Sequence, residues 1–141
     1  SQRALRYACN MADGVGASLH VIHVLQNPVY SELYLPPSDD YLEELEKRSR
    51  AKLQGQLSDA EKKKYSAVFV LRMGEPARQI LEYLKGQPAI DLVVMATAGR
   101  GGVARLMMGS VADKIVRAAP CPVLTIHPPD HVERDSTYRA A

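Results

Sequence analysis

Four runs rich in apolar and β-branched residues, 18–25 (SLHVIHVL), 66–72 (SAVFVLR), 90–97 (IDLVVMAT) and 122–127 (PVLTIH), alternate with segments whose apolar residues recur at helical spacing. Short, nearly continuous apolar runs are typical of strands covered on both faces. Strands separated by helices are joined by crossovers and so run parallel. The order α-β-α-β-α-β-α-β predicts an α/β chain with a doubly wound, mostly parallel sheet and helices on both faces.

The helical segments carry their own boundary signals. Residues 3–14 place Ala4, Leu5, Ala8, Cys9 and Ala12 on one stripe, with Gly14 and Gly16 as stop signals. Residues 28–37 read as a loop. Ser38 then offers an N-cap, with Asp39 and Asp40 in the first turn. Glu43/Lys47, Glu44/Arg48 and Glu46/Arg50 are spaced for i,i+4 pairing, and Leu42, Leu45, Leu53 and Leu57 form the buried side. A break near Gly55 is expected, with Ser58 and Glu61 restarting the helix through a capping box. Pro76 suits the first turn of the next helix, which carries Ile80, Leu81 and Leu84 and ends at Gly86. Val111, Ile115 and Val116 mark a further helix, ended before Pro120. These signals define one domain over 1–128 and a polar C-terminal tail over 129–141.

Composition removes several function classes. In 141 residues, 18 Lys and Arg stand against 16 Asp and Glu, a net charge of +2 that provides no field for nucleic acid. Trp is absent and Phe occurs once, so base-stacking platforms are not expected either. No apolar run approaches the roughly 20 residues of a membrane helix. Cys9 and Cys121 lie far apart with no Cys/His cluster, which predicts free, buried thiols in a reducing cytoplasm and no zinc site. His20 and His23 are expected on the strand face opposite Val24, satisfied locally rather than as metal ligands. The Pro120 and Pro122 flanks suit an edge position for the last strand, and Val123, Leu124 and Ile126 on an edge invite pairing with a second chain.

One loop suggests chemistry. It runs from Met95 through Ala98, Gly99, Arg100, Gly101, Gly102 and Arg105 to Gly109-Ser110-Val111, at the carboxyl end of the third strand. Ligands of open α/β sheets bind at such ends. Clustered glycines let backbone N–H groups close around an anion, and the following helix N-terminus adds positive potential. Ser110 either caps that helix or offers its hydroxyl to a phosphate. Arg100 and Arg105 either pair with phosphates or are solvated. The motifs GxxxxGK[ST] and GxGxxG are both absent. A plain strand–loop–helix turn, with Ser110 as N-cap, stands beside the anion reading.

The spacing of this loop resembles the universal stress protein family, whose signature is G-x2-G-x9-G-[ST]. Ala96 stands at the first position, Gly99 at the second and Gly109-Ser110 at the last pair. The segments HVIHVL, GEPARQILEYL, DLVVMATAGRGG and GSVADKIVRAAPCPVLTI are similar to the family's successive elements, and the likeness extends to about residue 128. It implies a Rossmann-like single domain that dimerises through its last strand. It also implies ATP, or AMP after slow turnover, as ligand, with Mg2+ accompanying the nucleotide. On this likeness Val24 meets adenine through its backbone, and Met95, Ala96, Ala98 and Gly99 run beside the ribose and phosphates. Gly109, Ser110 and Val111 hold phosphates at the helix start.

Two departures from the family pattern matter. Ala96 replaces a glycine, which costs strain if φ is positive there. The family's opening strand, which ends in an Asp, has no counterpart, and the chain starts with Ser rather than Met. An upstream segment is expected to fill the central position; the alternative is a partner chain or a rearranged sheet. The expected function is a dimeric, adenine-nucleotide-binding regulatory module of the stress response, cytoplasmic, and not an enzyme in its main role. The alternative is a nucleotide-free dimeric scaffold of the same fold. A true nucleotide hydrolase is a third reading, without a visible general base or metal carboxylate near the loop.

Overall fold

A computed structural model describes residues 2–26, 38–97 and 108–127. The elements are α1 (Gln2–Val15), β1 (His20–Leu25), α2 (Asp39–Gln54), α3 (Asp59–Lys64), β2 (Val68–Met73), α4 (Pro76–Lys85), β3 (Val93–Ala96), α5 (Ser110–Ala118) and β4 (Val123–Ile126). The proposed 28–37 loop, the glycines at 99, 101 and 102, and the 129–141 tail lie outside the described residues.

All pairing is parallel. β1 pairs with β2 in the register His20↔Val68 to Leu25↔Met73, and β3 pairs with β4 in the register Val93↔Val123 to Ala96↔Ile126. Among the described residues β1–β2 and β3–β4 form two ribbons, and β1 is not paired directly with β3, so the alternative of a rearranged sheet is not seen.

Helices cover both faces. On one side Cys9 and Ala12 of α1 form a buried cluster with Leu57 and Tyr65, against Val21 and Phe69 of the sheet. On the other side α4 packs on β1 and β2, and α5 packs on α4 and β4. The face assignment corrects one expectation. His20 reaches Tyr83 of α4, with Nδ1 2.6 Å from the phenol oxygen, whereas Val21 faces α1. By alternation Val24 shares the α4 face with His20, and only His23 lies opposite.

Most boundary signals act as expected, with local shifts. Gly16, at φ +65°, ends α1, and the Ala17 N–H returns to the Ala12 carbonyl in a Schellman-type bond. Gly14 lies within the helix instead of stopping it. Ser38 caps α2 by accepting from the Tyr41 N–H, and Gly55 closes the helix. The pairs Glu44–Arg48 and Glu46–Arg50 form at 2.6 and 2.8 Å, while no ion pair joins Glu43 to Lys47. The Ser58/Glu61 capping box is complete. The second strand starts two residues late because Ser66 sits at φ 46° and breaks the extended chain. The third is trimmed at its start because Ile90 is held in a turn by the Gln87 carbonyl.

Leu53 and Leu57 are buried, while Leu42 and Leu45 are half-buried. Cys9 is a buried free thiol, pushed up in pKa by that burial; Cys121 is free and half-buried. Among the described residues no helix is long and apolar enough to cross a membrane.

Candidate functional site

The carboxyl ends of β1 and β2 lie side by side, followed by Gln26 and Gly74, and those of β3 and β4 lie side by side, followed by Thr97 and His127. This is where an α/β sheet presents loops and helix starts to a ligand. Gly74, at φ +133°, bonds its N–H to the Leu25 carbonyl at 2.8 Å and turns the chain from β2 into α4. At that turn the Glu75 side chain caps α4 by accepting from the Arg78 N–H at 2.7 Å, and it meets Lys114 of α5 at 3.2 Å. The backbone hydrogen bond, then the lysine, hold the Glu75 carboxyl below the usual range.

Thr97 organises the other half. It is 4% exposed, the only buried polar residue among those described. Its N–H donates to the Ile126 carbonyl at 3.1 Å, and its carbonyl accepts from the Gly109 N–H at 2.7 Å. Its hydroxyl lies 3.1 Å from His127 Nδ1. One residue thus joins β3, β4 and the start of α5. Sequence reasoning did not single out Thr97 or His127. The available signal was a hydroxyl residue ending one apolar run and an imidazole ending another.

Gly109, not Ser110, is the N-cap of α5, with φ −58° and ψ 149° and no side-chain cap bond. Ser110 is the first helical residue and is exposed, so the plain-cap reading of its hydroxyl does not hold. The Asp113 N–H takes the Gly109 carbonyl at 3.0 Å. The N–H groups of Ser110, Val111 and Ala112 precede the first intrahelical donor and have no acceptor within the helix. Unpaired N–H groups at a helix start, with the dipole behind them, favour an anion. The acidic residue of this turn, Asp113, is tied to Arg117, with both oxygens 3.0 Å from Nε.

The other candidate residues fall as follows. Val24 is half-buried near the end of β1; Met95 and Ala96 are half-buried in β3; Val111 is half-buried in the first turn of α5. Ala96 has a regular strand conformation, since Ser66 is the only non-glycine at positive φ among the described residues. The strain that the Gly-to-Ala change would have carried is therefore absent. Ala98 and Gly99, with Arg100 and Arg105, lie outside the described residues. Among the described residues no group of three His, Cys, Asp or Glu side chains is placed to hold a metal ion.

Comparison with known proteins agrees with this architecture. The profile of the universal stress protein family matches residues 1–127. A universal stress protein of Thermus aquaticus is 36% identical over 135 residues, covering 89% of this chain and 89% of its own. One from Methanocaldococcus jannaschii is 30% identical over 135 residues, covering 92% of this chain and 76% of its own. Among solved structures, the universal stress protein UspA from Lactobacillus plantarum superposes with a TM-score of 0.70 at 27% identity, over 89% of this chain and 88% of its own. With a family profile across nearly its whole length and a matching Rossmann-like fold, the chain belongs to the universal stress protein family.

Proposed function

We propose that this chain is a regulatory module of the stress response that binds an adenine nucleotide at the carboxyl ends of its strands. The carrying observation is the start of α5. Gly109 supplies no side chain, its own N–H is taken up by Thr97, and three N–H groups follow without helical acceptors. That arrangement suits a phosphate, with the Ser110 hydroxyl as an additional donor. Val24, near the end of β1, and Ala96, at the end of β3, supply backbone edges for the base and ribose. Mg2+ enters with the nucleotide; among the described residues no carboxylate cluster is placed to hold it.

Nucleotide occupancy acts through binding and biases contacts with a partner. The partner is a second copy, paired through the edge of β4 away from β3, which no described strand covers and where Val123, Leu124 and Ile126 are half-buried. Identifying the nucleotide released from the denatured protein, followed by an ATP titration, tests the reading. Stoichiometric ATP or AMP supports it; a chain that is empty and ignores added ATP overturns it.

A further inference from the structure

Two contacts of Thr97 point the same way. In a parallel strand the N–H and C=O of one residue face the same neighbour. The Thr97 N–H goes to the Ile126 carbonyl of β4, so its own carbonyl faces the β4 side as well. That carbonyl holds the Gly109 N–H at 2.7 Å. The start of α5 is therefore anchored on the β4 side of β3, and α5 packs on β4. The register Ala96↔Ile126 brings His127 beside Thr97 at the same place. The imidazole and the first turn of α5 thus flank one residue.

Thr97 also decides where the imidazole carries its proton. Thr97 is 4% exposed, and a buried hydroxyl needs an acceptor for its hydrogen. Among the described residues that acceptor is His127 Nδ1, at 3.1 Å. A neutral imidazole that accepts at Nδ1 carries its proton on Nε2. Nε2–H is then a donor on an exposed side chain, with no partner among the described residues. Its charged surroundings do not oppose an anion. The Arg3 guanidinium of α1 sits on the His127 carbonyl at 3.4 Å, and Asp113, in the first turn of α5, is tied to Arg117.

We propose that His127 is a phosphate-binding residue of the nucleotide site, donating from Nε2–H, and that Thr97 is its positioning residue. This role rests on the adenine-nucleotide site proposed above. The start of α5 supplies main-chain donors to the phosphates, and the imidazole at the end of β4 adds a side-chain donor. Thr97 fixes both, the helix start through its carbonyl and the imidazole proton through its hydroxyl.

The test combines nitrogen-15 NMR of the imidazole ring with ATP titration calorimetry on the full chain at about pH 8, where a histidine of ordinary basicity is neutral. The variants are His127→Asn, Thr97→Val and Thr97→Ser. Asparagine still offers an oxygen to the Thr97 hydroxyl but lacks the outward ring N–H, so the fold is kept. The expected result is an Nε2–H ring before nucleotide is added and an Nε2 signal that moves with ATP. His127→Asn should bind ATP roughly tenfold more weakly. Thr97→Val should release the tautomer and weaken ATP, and Thr97→Ser should restore both. A parent that binds ATP with unmoved ring signals, or a His127→Asn protein with unchanged ATP affinity, overturns the role of His127 and leaves the nucleotide reading standing. A parent that ignores ATP overturns both. Ring signals that follow protein concentration instead of ATP place His127 in a contact between copies and overturn the role as well.

Discussion

The Gly109 N–H donates to the Thr97 carbonyl oxygen at 2.7 Å, so the end of β3 and the start of α5 are held together whatever the intervening chain does. Without that bond the Gly109 N–H would compete for any anion at the helix start. With it, the next three N–H groups are the ones left to a ligand.

Substitutions at the start of α5 test the phosphate position. Ser110→Ala removes an exposed hydroxyl and leaves the cap intact. If that hydroxyl bonds a charged phosphate, about 1.5–3 kcal/mol is lost, or roughly ten- to a hundredfold in ATP affinity. Gly109→Val is compatible with φ −58° but places a branched side chain at the mouth of the helix, and it should weaken ATP more than it weakens folding. Calorimetric titration of both variants decides: unchanged ATP affinity in the two would remove α5 from the site.

Thr97→Val keeps shape and burial while deleting the hydroxyl beside His127 Nδ1. His127 is exposed and water can replace its lost partner, so the expected cost is about one hydrogen bond, ~1 kcal/mol. A domain of this size should then melt a few degrees lower. Thr97→Ser keeps the hydroxyl and should retain most of that hydrogen-bond contribution. Differential scanning calorimetry of the pair would refute the assignment if Ser and Val were equally destabilised.

Much of this was legible in the residues. The apolar runs locate all four strands because strands buried on both faces have little choice of composition. Ser38, Ser58, Glu61, Pro76 and Gly16 each act at a helix end through chemistry local to a few residues. What escaped was non-local. Thr97 matters because β4 and α5 arrive beside it, and neither contact leaves a mark in its own segment. The shared face of His20 and Val24, by contrast, was legible in the sequence, since the two residues are four positions apart on one strand. The positive φ of Ser66, which delays β2, is the left-handed residue of a Schellman motif closing α3, with the Ala67 N–H on the Lys62 carbonyl and the Ser66 N–H on that of Lys63; a serine in place of the usual glycine leaves no signal there. The candidate nucleotide loop was legible only as spacing, with Ala96 its one discordant position, and the backbone there proves to be ordinary strand.

Acid should weaken one specific junction. The Glu61 carboxylate accepts from the Ser58 N–H and hydroxyl, both at 2.8 Å, and pairs with Arg6 of α1. Those hydrogen bonds, then the guanidinium, lower its pKa to about 2, from 4.5 for a free glutamate. The folded value lies below the unfolded one, so as pH falls the unfolded chain takes up the proton first. The stabilisation is fully present above about pH 4.5 and is lost as pH falls toward 2. Glu61→Gln keeps an oxygen for the capping box and removes the charge. Urea midpoints of the two proteins should differ at pH 7 and draw together between about pH 4.5 and pH 2. A constant difference across that range would show that the charge is not what Glu61 contributes.

Two neighbours on α5 should separate stability from ligand binding. Ile115 is 0% exposed and Val116 is 44% exposed. Ile115→Ala leaves a cavity in the layer between α5, α4 and β4, and should cost about 2–5 kcal/mol. Val116→Ala should stay within about 0.5 kcal/mol. The start of α5 is set by the Gly109–Thr97 bond and not by Ile115, which lies more than a turn away. ATP affinity of the folded Ile115→Ala protein should therefore remain within about threefold of the parent, while its urea midpoint falls sharply. If affinity falls in proportion to stability instead, the helix start is positioned by the core packing of α5, and Thr97 is not the residue that holds it.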